Sequence, residues 1–463
     1  MREPGQILLV ACYELGRQPL AVAWPAAFLE RAGYRPALMD VSVEPVDAQK
    51  LTRARVIAIS VPMHTALRLG REVAERARAL NPHAHICFFG LYATLNAPFL
   101  FAHGAASVIG GEAETPLLAL VEALERGDAS PLPAVARPGQ PAAPHLQRLD
   151  FPRPSRAGLP SIKKYAHVER DGRLELAAHT EASRGCLHHC RHCPIPPVYR
   201  GRLFAVPRDV VLADIRQQIE AGARHVTFGD PDFLNGPTHA LALARALHAE
   251  WPDVTFDFTA KIEHLLRHRA HLPALARAGC LFVVSAAESL SDTVLAHLEK
   301  GHTRADILTA LAATREASIT LRPTWVAFTP WTTLDDHRAW LDFLADEGLI
   351  DHVDPVQYGL RLLVPPGSLL LESPALRPHL GPLEPETLSH RWTHPDPRMD
   401  RLQAETAQAV AQAVERREDA PAVFDRARGL AAAAAGTAAP PAVAPGMARD
   451  RARPPRLTEA WFC

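Results

Sequence analysis

Three cysteines stand within eight residues of the chain, in the segment CLHHCRHC: Cys186, Cys190 and Cys193. Thiolates are soft metal ligands, and three of them can hold a cubane 4Fe-4S cluster while leaving one iron without a protein ligand. Such an open iron can chelate a small molecule. The histidines of the same segment also allow a zinc site of three cysteines and one histidine. The segment therefore predicts a metal centre, either iron–sulfur or zinc.

Length, charge and cysteine usage restrict the class of protein. The 463 residues exceed what one ordinary core requires, so we expect two or three domains. The 50 basic and 51 acidic residues nearly cancel, which argues against a nucleic-acid or membrane-surface partner. The N-terminus lacks a signal-peptide pattern, and no apolar stretch approaches the roughly 20 residues that span a bilayer. The odd number of cysteines disfavours a disulfide framework, and we expect a cytoplasmic protein.

The first 125 residues alternate apolar strands with amphipathic helices. The predicted strands are Gln6–Cys12, Pro36–Val41, Arg55–Val61, Ala84–Phe89 and Ala106–Ile109. This rhythm predicts an α/β domain with a doubly wound parallel sheet, whose ligand binds at the carboxyl ends of the strands. Residues 126–165 are rich in proline and are predicted to be an interdomain linker.

The strand–helix alternation resumes over residues 166–372. The predicted strands are Leu174–Ser183, His225–Phe228, Thr255–Thr259, Leu281–Ala286, Ile319–Phe328 and Val356–Leu363. Six such units predict a partial (βα)6 barrel with its active site at the carboxyl ends of the strands. The cysteine segment follows the first of these strands, so we expect it at that end. Residues 373–428 are predicted to form a helical extension, and residues 429–463 a disordered tail rich in alanine and proline.

A CxxxCxxC segment after the first barrel strand resembles the radical S-adenosylmethionine (SAM) superfamily. Two downstream segments extend the resemblance, HVTFGDPD at His225–Asp232 and AAESLSDTVLAHLEKGHT at Ala286–Thr303. The position before the third cysteine, often aromatic in that superfamily, is His192 here.

This resemblance implies roles for individual residues. Its cluster ligands would be Cys186, Cys190 and Cys193, and its contacts to SAM would be Gly229, Asp230, Glu288 and Lys261. It also implies a small-molecule substrate and an electron donor such as flavodoxin or ferredoxin.

The first domain has no GxGxxG motif after its first strand, which disfavours an ordinary dinucleotide-binding domain. It resembles the cobalamin-binding domain that precedes many radical SAM enzymes, through FFGLY at Phe88–Tyr92 and GGEAE at Gly110–Glu114. The resemblance implies that cobalamin contacts Gly90, Gly110, Gly111 and Glu112. The DxHxxG motif, whose histidine ligates cobalt in domains of the methionine-synthase type, is missing from this sequence. A sheet domain that is structural or binds another ligand stays open as an alternative.

The segments Phe328–Thr332, Tyr358–Leu370 and LTEAWFC resemble one radical SAM group that is named for its CCAEP or CUAEP tail. The next residue in that group would be cysteine or selenocysteine, so Cys463 is a candidate catalytic thiol. We hypothesise that a UGA selenocysteine codon, followed by an Ala-Glu-Pro frame, comes after Cys463. Sequencing the DNA tests this, and a UAA or UAG codon there would contradict it.

Together these features predict a radical SAM enzyme with 4Fe-4S, SAM and cobalamin as cofactors, which transfers a methyl group to an unactivated carbon of an unknown small molecule. One alternative keeps the radical chemistry without methylcobalamin, as a rearrangement or as transfer of another SAM fragment to a soft element. The other alternative is a zinc-binding protein without enzymatic activity.

Overall fold

The computed structural model describes residues 1–447 and 451–459, and Cys463 lies outside them. The first of its two large sheets has the strand order β2-β1-β3-β4-β5-β6. These strands are β1 (Ile7–Ala11), β2 (Ala37–Asp40), β3 (Val56–Ser60), β4 (His85–Phe89), β5 (Ser107–Ile109) and β6 (Val135–Ala136). Strands β1 to β5 run parallel, and β6 is antiparallel to β5.

The five parallel strands confirm the predicted doubly wound α/β domain. All residues of β1 and β3 are buried, because helices cover the sheet. The helices are α1 (Leu20–Arg31), α2 (Ala48–Arg53), α3 (His64–Leu80), α4 (Leu91–Leu95), α5 (Ala97–Ala102) and α6 (Glu114–Arg126). The strand order reverses between β1 and β3, so the ligand crevice of such a sheet lies beyond the carboxyl ends of these two strands.

The second sheet has the order β14-β13-β12-β11-β8-β7-β17. Strands β8, β11, β12, β13 and β14 run parallel and form an open half-barrel, whereas β7 and β17 extend it in antiparallel fashion. The strands of this half of the chain are β7 (His167–Arg170), β8 (Arg173–Thr180), β9 (Ser183–Gly185), β10 (Leu203–Ala205), β11 (His225–Phe228), β12 (Thr255–Thr259), β13 (Cys280–Glu288), β14 (Thr320–Trp325), β15 (Leu380–Glu384), β16 (Ser389–Trp392) and β17 (Arg456–Leu457).

Helices connect these strands and cover the half-barrel. They are α7 (Ile195–Tyr199), α8 (Arg208–Glu220), α9 (Pro237–Glu250), α10 (Ile262–Arg267), α11 (Leu272–Arg277), α12 (Asp292–His297), α13 (Arg304–Glu316), α14 (Leu334–Asp346), α15 (Pro397–Glu415) and α16 (Ala420–Ala435). Buried apolar residues of the strands and helices form one continuous core. No helix of the described residues is long and apolar enough to cross a membrane.

The sixth barrel strand, predicted at Val356–Leu363, is not a strand. Residues Pro355–Gly359 form a 3-10 helix, and one parallel bridge between Phe328 and Arg361 replaces the strand pairing. Pro355 stands at the start of that helix, where its fixed φ and missing N–H are tolerated. The Gln357 side chain instead accepts a hydrogen bond from the Trp325 backbone N–H, at the end of β14.

The residues predicted to be a disordered tail are ordered in their described parts. Helix α16 continues to Ala435, and β17 pairs with β7, with Arg456 opposite Glu169. Arg451 forms ion pairs with both Asp351 and Asp419. Composition suggested disorder because alanine and proline dominate this stretch, but Arg451 pairs with one carboxylate of the half-barrel and one of the helical extension.

The proline-rich linker packs tightly between the two sheets. Phe151 and Leu149 are buried in the core that also holds the half-barrel, together with Trp24 of α1. The Trp24 indole donates a hydrogen bond to the Pro152 carbonyl at 3.1 Å. The linker therefore fixes the two domains against each other instead of acting as a free spacer.

A buried ion pair anchors this linker to the half-barrel. Arg156 donates to both oxygens of Asp214 in α8, at 2.7 and 2.9 Å, and also to Gln18 and the His179 carbonyl. Asp214 is fully buried. Substituting Arg156→Leu leaves this carboxylate buried and unpaired, so we expect the free energy of unfolding to fall by about 3–5 kcal/mol.

Urea denaturation of the full chain measures this effect. The control is Arg216→Leu, also in α8, whose pair with Glu250 is exposed and is worth at most about 1 kcal/mol. Equal losses in the two variants would contradict the anchoring role of Arg156.

Candidate functional site

The cysteine segment leaves the carboxyl end of β8 and is fixed there by Asp230. This residue follows β11, and its carboxylate accepts hydrogen bonds from the Ala182 backbone N–H at 2.8 Å and the Ser183 hydroxyl at 2.5 Å. Both carboxylate oxygens are therefore engaged. Burial raises the pKa of Asp230 to about 6. In the structure, the residue predicted to contact SAM positions the entry to the cysteine segment.

Cys186 and Cys190 are buried and Cys193 is half-buried. The Asn235 side-chain amide donates to the Cys186 sulfur at 3.5 Å. Among the described residues, only His188, Asp232 and His264 bring three potential ligand atoms within 4.8 Å of one another. A cubane cluster, which binds each thiolate at a different iron, fits the three cysteines.

Glu288, the second predicted SAM contact, lies at the end of β13 beside the cysteine segment. One carboxylate oxygen lies 3.0 Å from the His192 Nε2 atom and accepts a hydrogen bond from Lys300 at 3.2 Å. Burial raises the pKa of Glu288, but the charge of Lys300 and the contact with His192 outweigh it and lower that pKa to about 2. The imidazole at the usually aromatic position thus links the segment to β13.

Lys261 follows β12 and also contacts the cysteine segment. Its ammonium group lies 3.2 Å from the His188 Nδ1 atom and 3.3 Å from a Glu263 carboxylate oxygen. Asp232, which follows β11, accepts from the Lys261 backbone N–H and lies 2.8 Å from the His264 Nδ1 atom. The predicted SAM residues therefore surround the cysteine segment at the mouth of the half-barrel.

Gly229 lies at this mouth between β11 and Asp230. A Cβ atom at this position would stand 2.2 Å from the His179 Nε2 atom, so no larger residue fits without displacing that side chain. Gly229 also lines a cavity between the two sheets, with an empty volume of about 1050 Å³ that includes space open to solvent.

The opposite wall of this cavity is the carboxyl edge of the first sheet. Gly90 and Gly111, both predicted cobalamin contacts, line it, as does Ser60 at the end of β3. The Ser60 hydroxyl is buried and has no hydrogen-bond partner among the described residues. An unpaired hydroxyl at the switch point of the sheet fits a polar ligand such as cobalamin, which Ser60, Gly90 and Gly111 would border.

The other two predicted cobalamin contacts, Gly110 and Glu112, pack against or bond to other residues of the protein. A Cβ atom on Gly110 would stand 1.9 Å from the Thr94 hydroxyl oxygen. Glu112 is fully buried, accepts from the Tyr199 hydroxyl at 2.8 Å and pairs with Arg184 at 3.1 Å. Its carboxylate therefore bonds to the second domain.

Arg184, which sequence analysis missed, joins the two domains next to the cysteine segment. Its guanidinium pairs with Glu114 at 2.6 Å as well as with Glu112, and donates to Glu181 at 3.3 Å. The Trp24 ring covers it, with 4.4 Å between the guanidinium carbon and the ring centroid. The sequence offered one signal for Arg184: a charged side chain directly before Gly185, in a segment whose other residues are expected to be buried.

Three further charged residues that sequence analysis missed line the cavity: Glu14, Arg17 and Glu181. Glu14 and Arg17 follow β1, and Glu181 follows β8. The general rule that ligands bind beyond the carboxyl ends of parallel strands could have singled out all three positions.

Comparisons with known proteins agree with this geometry. Residues 180–352 match the Radical SAM superfamily, and residues 7–121 match the B12 binding domain. The chain is 30% identical over 200 residues to the tRNA-2-methylthio-N(6)-dimethylallyladenosine synthase of Chlorobium luteolum, covering 38% of this chain and 40% of that protein. It is 24% identical to the Hopanoid C-3 methylase of Methylococcus capsulatus, covering 68% of this chain and 62% of that protein.

A solved structure shares the fold of both domains. The cobalamin-dependent SAM radical enzyme OxsB, with aqua-cobalamin and SAM bound, superposes with a TM-score of 0.70 at 14% identity, covering 88% of this chain and 67% of that one. The first curated relatives are matched over only 40% and 41% of their own lengths. This chain thus joins a B12-binding domain to a radical SAM half-barrel, which imply cobalamin, a 4Fe-4S cluster and SAM as cofactors.

The carboxyls of the cavity generate a pH prediction. Burial and the nearby Glu181 raise the pKa of Glu14 from its usual 4.5 to about 8. Between these two values the folded chain keeps a proton that the unfolded chain has lost, so stability falls as the pH rises through this window. The variant Glu14→Gln mimics the protonated group and escapes this loss.

We therefore expect the melting temperature of the wild type to fall relative to that of Glu14→Gln between about pH 5 and about pH 8. Scanning calorimetry over this range measures the difference. The exposed Glu386→Gln is the control and should show no such trend. A constant difference for Glu14→Gln would contradict the raised pKa.

Proposed function

We propose that this chain, a radical SAM half-barrel preceded by a B12-binding domain, transfers a methyl group to an unactivated carbon of a small molecule. One observation carries the proposal: the same cavity is lined by Gly229 of the half-barrel mouth and by Gly90 and Gly111 of the B12-binding sheet. A substrate in this cavity has both cofactor sites within reach. The name of the hopanoid relative, a methylase that matches most of this chain, supports the same reaction.

The residues of the chain hold and orient these components. Cys186, Cys190 and Cys193 would hold the cluster, and Ser60 with its neighbours would border cobalamin. When bound, the cluster supplies the electron that cleaves SAM and cobalamin supplies the methyl group.

Three of the predicted SAM contacts take a positioning role within this proposal. Asp230, Glu288 and Lys261 hold the cysteine segment through Ser183, His192 and His188, respectively. Gly229 lines the cavity at the mouth of the half-barrel, where SAM would lie. We also propose that a flavodoxin or ferredoxin serves as the electron donor. Membership of the group with the CCAEP or CUAEP tail also stays a prediction, because its tail lies outside the described residues.

Anaerobic purification and reconstitution of the full chain test the cluster. We expect about four irons per chain and loss of most of them when Cys186, Cys190 or Cys193 is replaced by serine. The matched control is Cys280→Ser, a buried cysteine of β13 that should leave the iron content unchanged. Stoichiometric zinc in colourless wild-type protein would contradict the cluster.

Methyl transfer is tested with the same reconstituted enzyme. SAM with an isotope-labelled methyl group, a reductant and hydroxocobalamin are added to a deproteinised small-molecule extract of the source organism. The proposal predicts corrinoid bound to the protein, 5'-deoxyadenosine and label in a small molecule. Formation of 5'-deoxyadenosine without bound corrinoid or transferred label would favour the alternative reaction, a rearrangement or the transfer of another SAM fragment.

A further inference from the structure

Arg17 places a positive charge from the first domain at the mouth of the second. It follows β1 at the switch point of the first sheet and lines the cavity with Gly229 and Pro231 on the barrel side. Its charge acts on groups inside the half-barrel: Asp257 of β12 attracts it, and burial, with Arg17 as a further cause, lowers the pKa of His179 of β8. Arg17 thus borders the space between the two cofactor sites.

The carboxylates around Arg17 are already engaged by other donors. Asp257 accepts from His225 at 2.8 Å and from Thr227 at 2.6 Å. Glu14 accepts from two backbone N–H groups at the start of α1, and Glu181 accepts from Arg184. The Nε atom of Arg17, in contrast, is buried and has no hydrogen-bond partner among residues 1–447 and 451–459.

Two other interior arginines near the cavity, in contrast, donate hydrogen bonds to carboxylates through their guanidinium groups. Arg156 binds Asp214 through two nitrogens, and Arg184 binds Glu112 and Glu114. Leaving a buried donor of a cation without a hydrogen bond is costly, so the unpaired Nε atom of Arg17 at a ligand cavity indicates a partner supplied by the ligand. A planar guanidinium matches the two oxygens of a carboxylate.

We propose that Arg17 binds a carboxylate group of the methyl acceptor, and hence that the substrate is a carboxylic acid. This inference rests on the proposed function, because it places the acceptor in the cavity between Gly229 and Gly111. SAM also carries a carboxylate, and the test below separates these two sources.

The test uses the full-length protein reconstituted with cluster, hydroxocobalamin and SAM, with acetate and benzoate as probes. Their uncharged amides, acetamide and benzamide, are the matched controls at constant ionic strength. We expect the acids, but not the amides, to raise the melting temperature in a dose-dependent manner. In Arg17→Gln the apparent affinity for the acids should fall by about tenfold or more, and in Arg17→Lys by less, because the ammonium lacks the fork.

Arg416→Gln, which removes an exposed arginine far from the cavity, should bind the acids like the wild type. Equal responses to acids and amides in the wild type, or an unchanged response in Arg17→Gln, would overturn the proposal. SAM affinity, measured by equilibrium dialysis, should stay unchanged in Arg17→Gln. A tenfold loss there would assign Arg17 to the carboxylate of SAM and overturn the substrate assignment.

The iron and corrinoid contents of the same preparations make a separate check. If Arg17→Gln retains both at wild-type levels, its fold is intact and the probe experiment reports on Arg17 alone. If the wild type holds neither cofactor, the proposed function fails, and the response to acids and amides still reports whether Arg17 binds a carboxylate.

Discussion

The relation between the two domains depends on the ion pairs of Arg184 with Glu112 and Glu114. The two carboxylates are 0% and 3% exposed, and the arginine side chain is 13% exposed. Charges this deeply buried are tolerated only while they remain paired, so the domains cannot slide apart at this point without a large cost. Arg184 stands two residues before Cys186, and the two glutamates follow β5. The B12-binding domain therefore sets the position of the cysteine segment directly.

This constraint explains why the cavity between the domains has a defined shape. The linker supports it from one side, through Phe151 against the Arg184 guanidinium and through the Arg156–Asp214 pair. Burial raises the pKa of Glu181 to about 7, and that of Glu14 also rises, so the cavity can hold protonated carboxyls near neutral pH. Ion pairs thus fix the walls of the cavity, while the carboxyls of Glu14 and Glu181 that line it can gain or lose a proton near neutral pH.

Sequence patterns predicted the features that local periodicity and spacing determine. The parallel strands, the open barrel and the cysteine segment after β8 follow from alternating apolar runs and from CLHHCRHC. Three features escaped these patterns: the 3-10 helix in place of the sixth strand, the packed linker and the ordered tail. They depend on contacts between residues far apart in sequence, such as Gln357 with Trp325 and Arg451 with Asp351. The pairing of Arg184 with Glu112 likewise cannot be predicted from a local sequence pattern, because 72 residues separate them.

The same limit applies to the roles of the polar residues around the cysteines. In the structure Asp230, Glu288 and Lys261 lie near the cysteine segment, but motif order alone cannot distinguish a residue that contacts SAM from one that supports the segment. Lys300 illustrates the difference, because it pairs with Glu288 and its charge also acts on Cys193. Burial raises the pKa of the Cys193 thiol, and the charge of Lys300 offsets part of this rise and so favours the thiolate that metal binding requires. The partial neutralisation of Lys300 by Glu288 then limits this attraction, so the carboxylate influences the cluster site without touching a ligand.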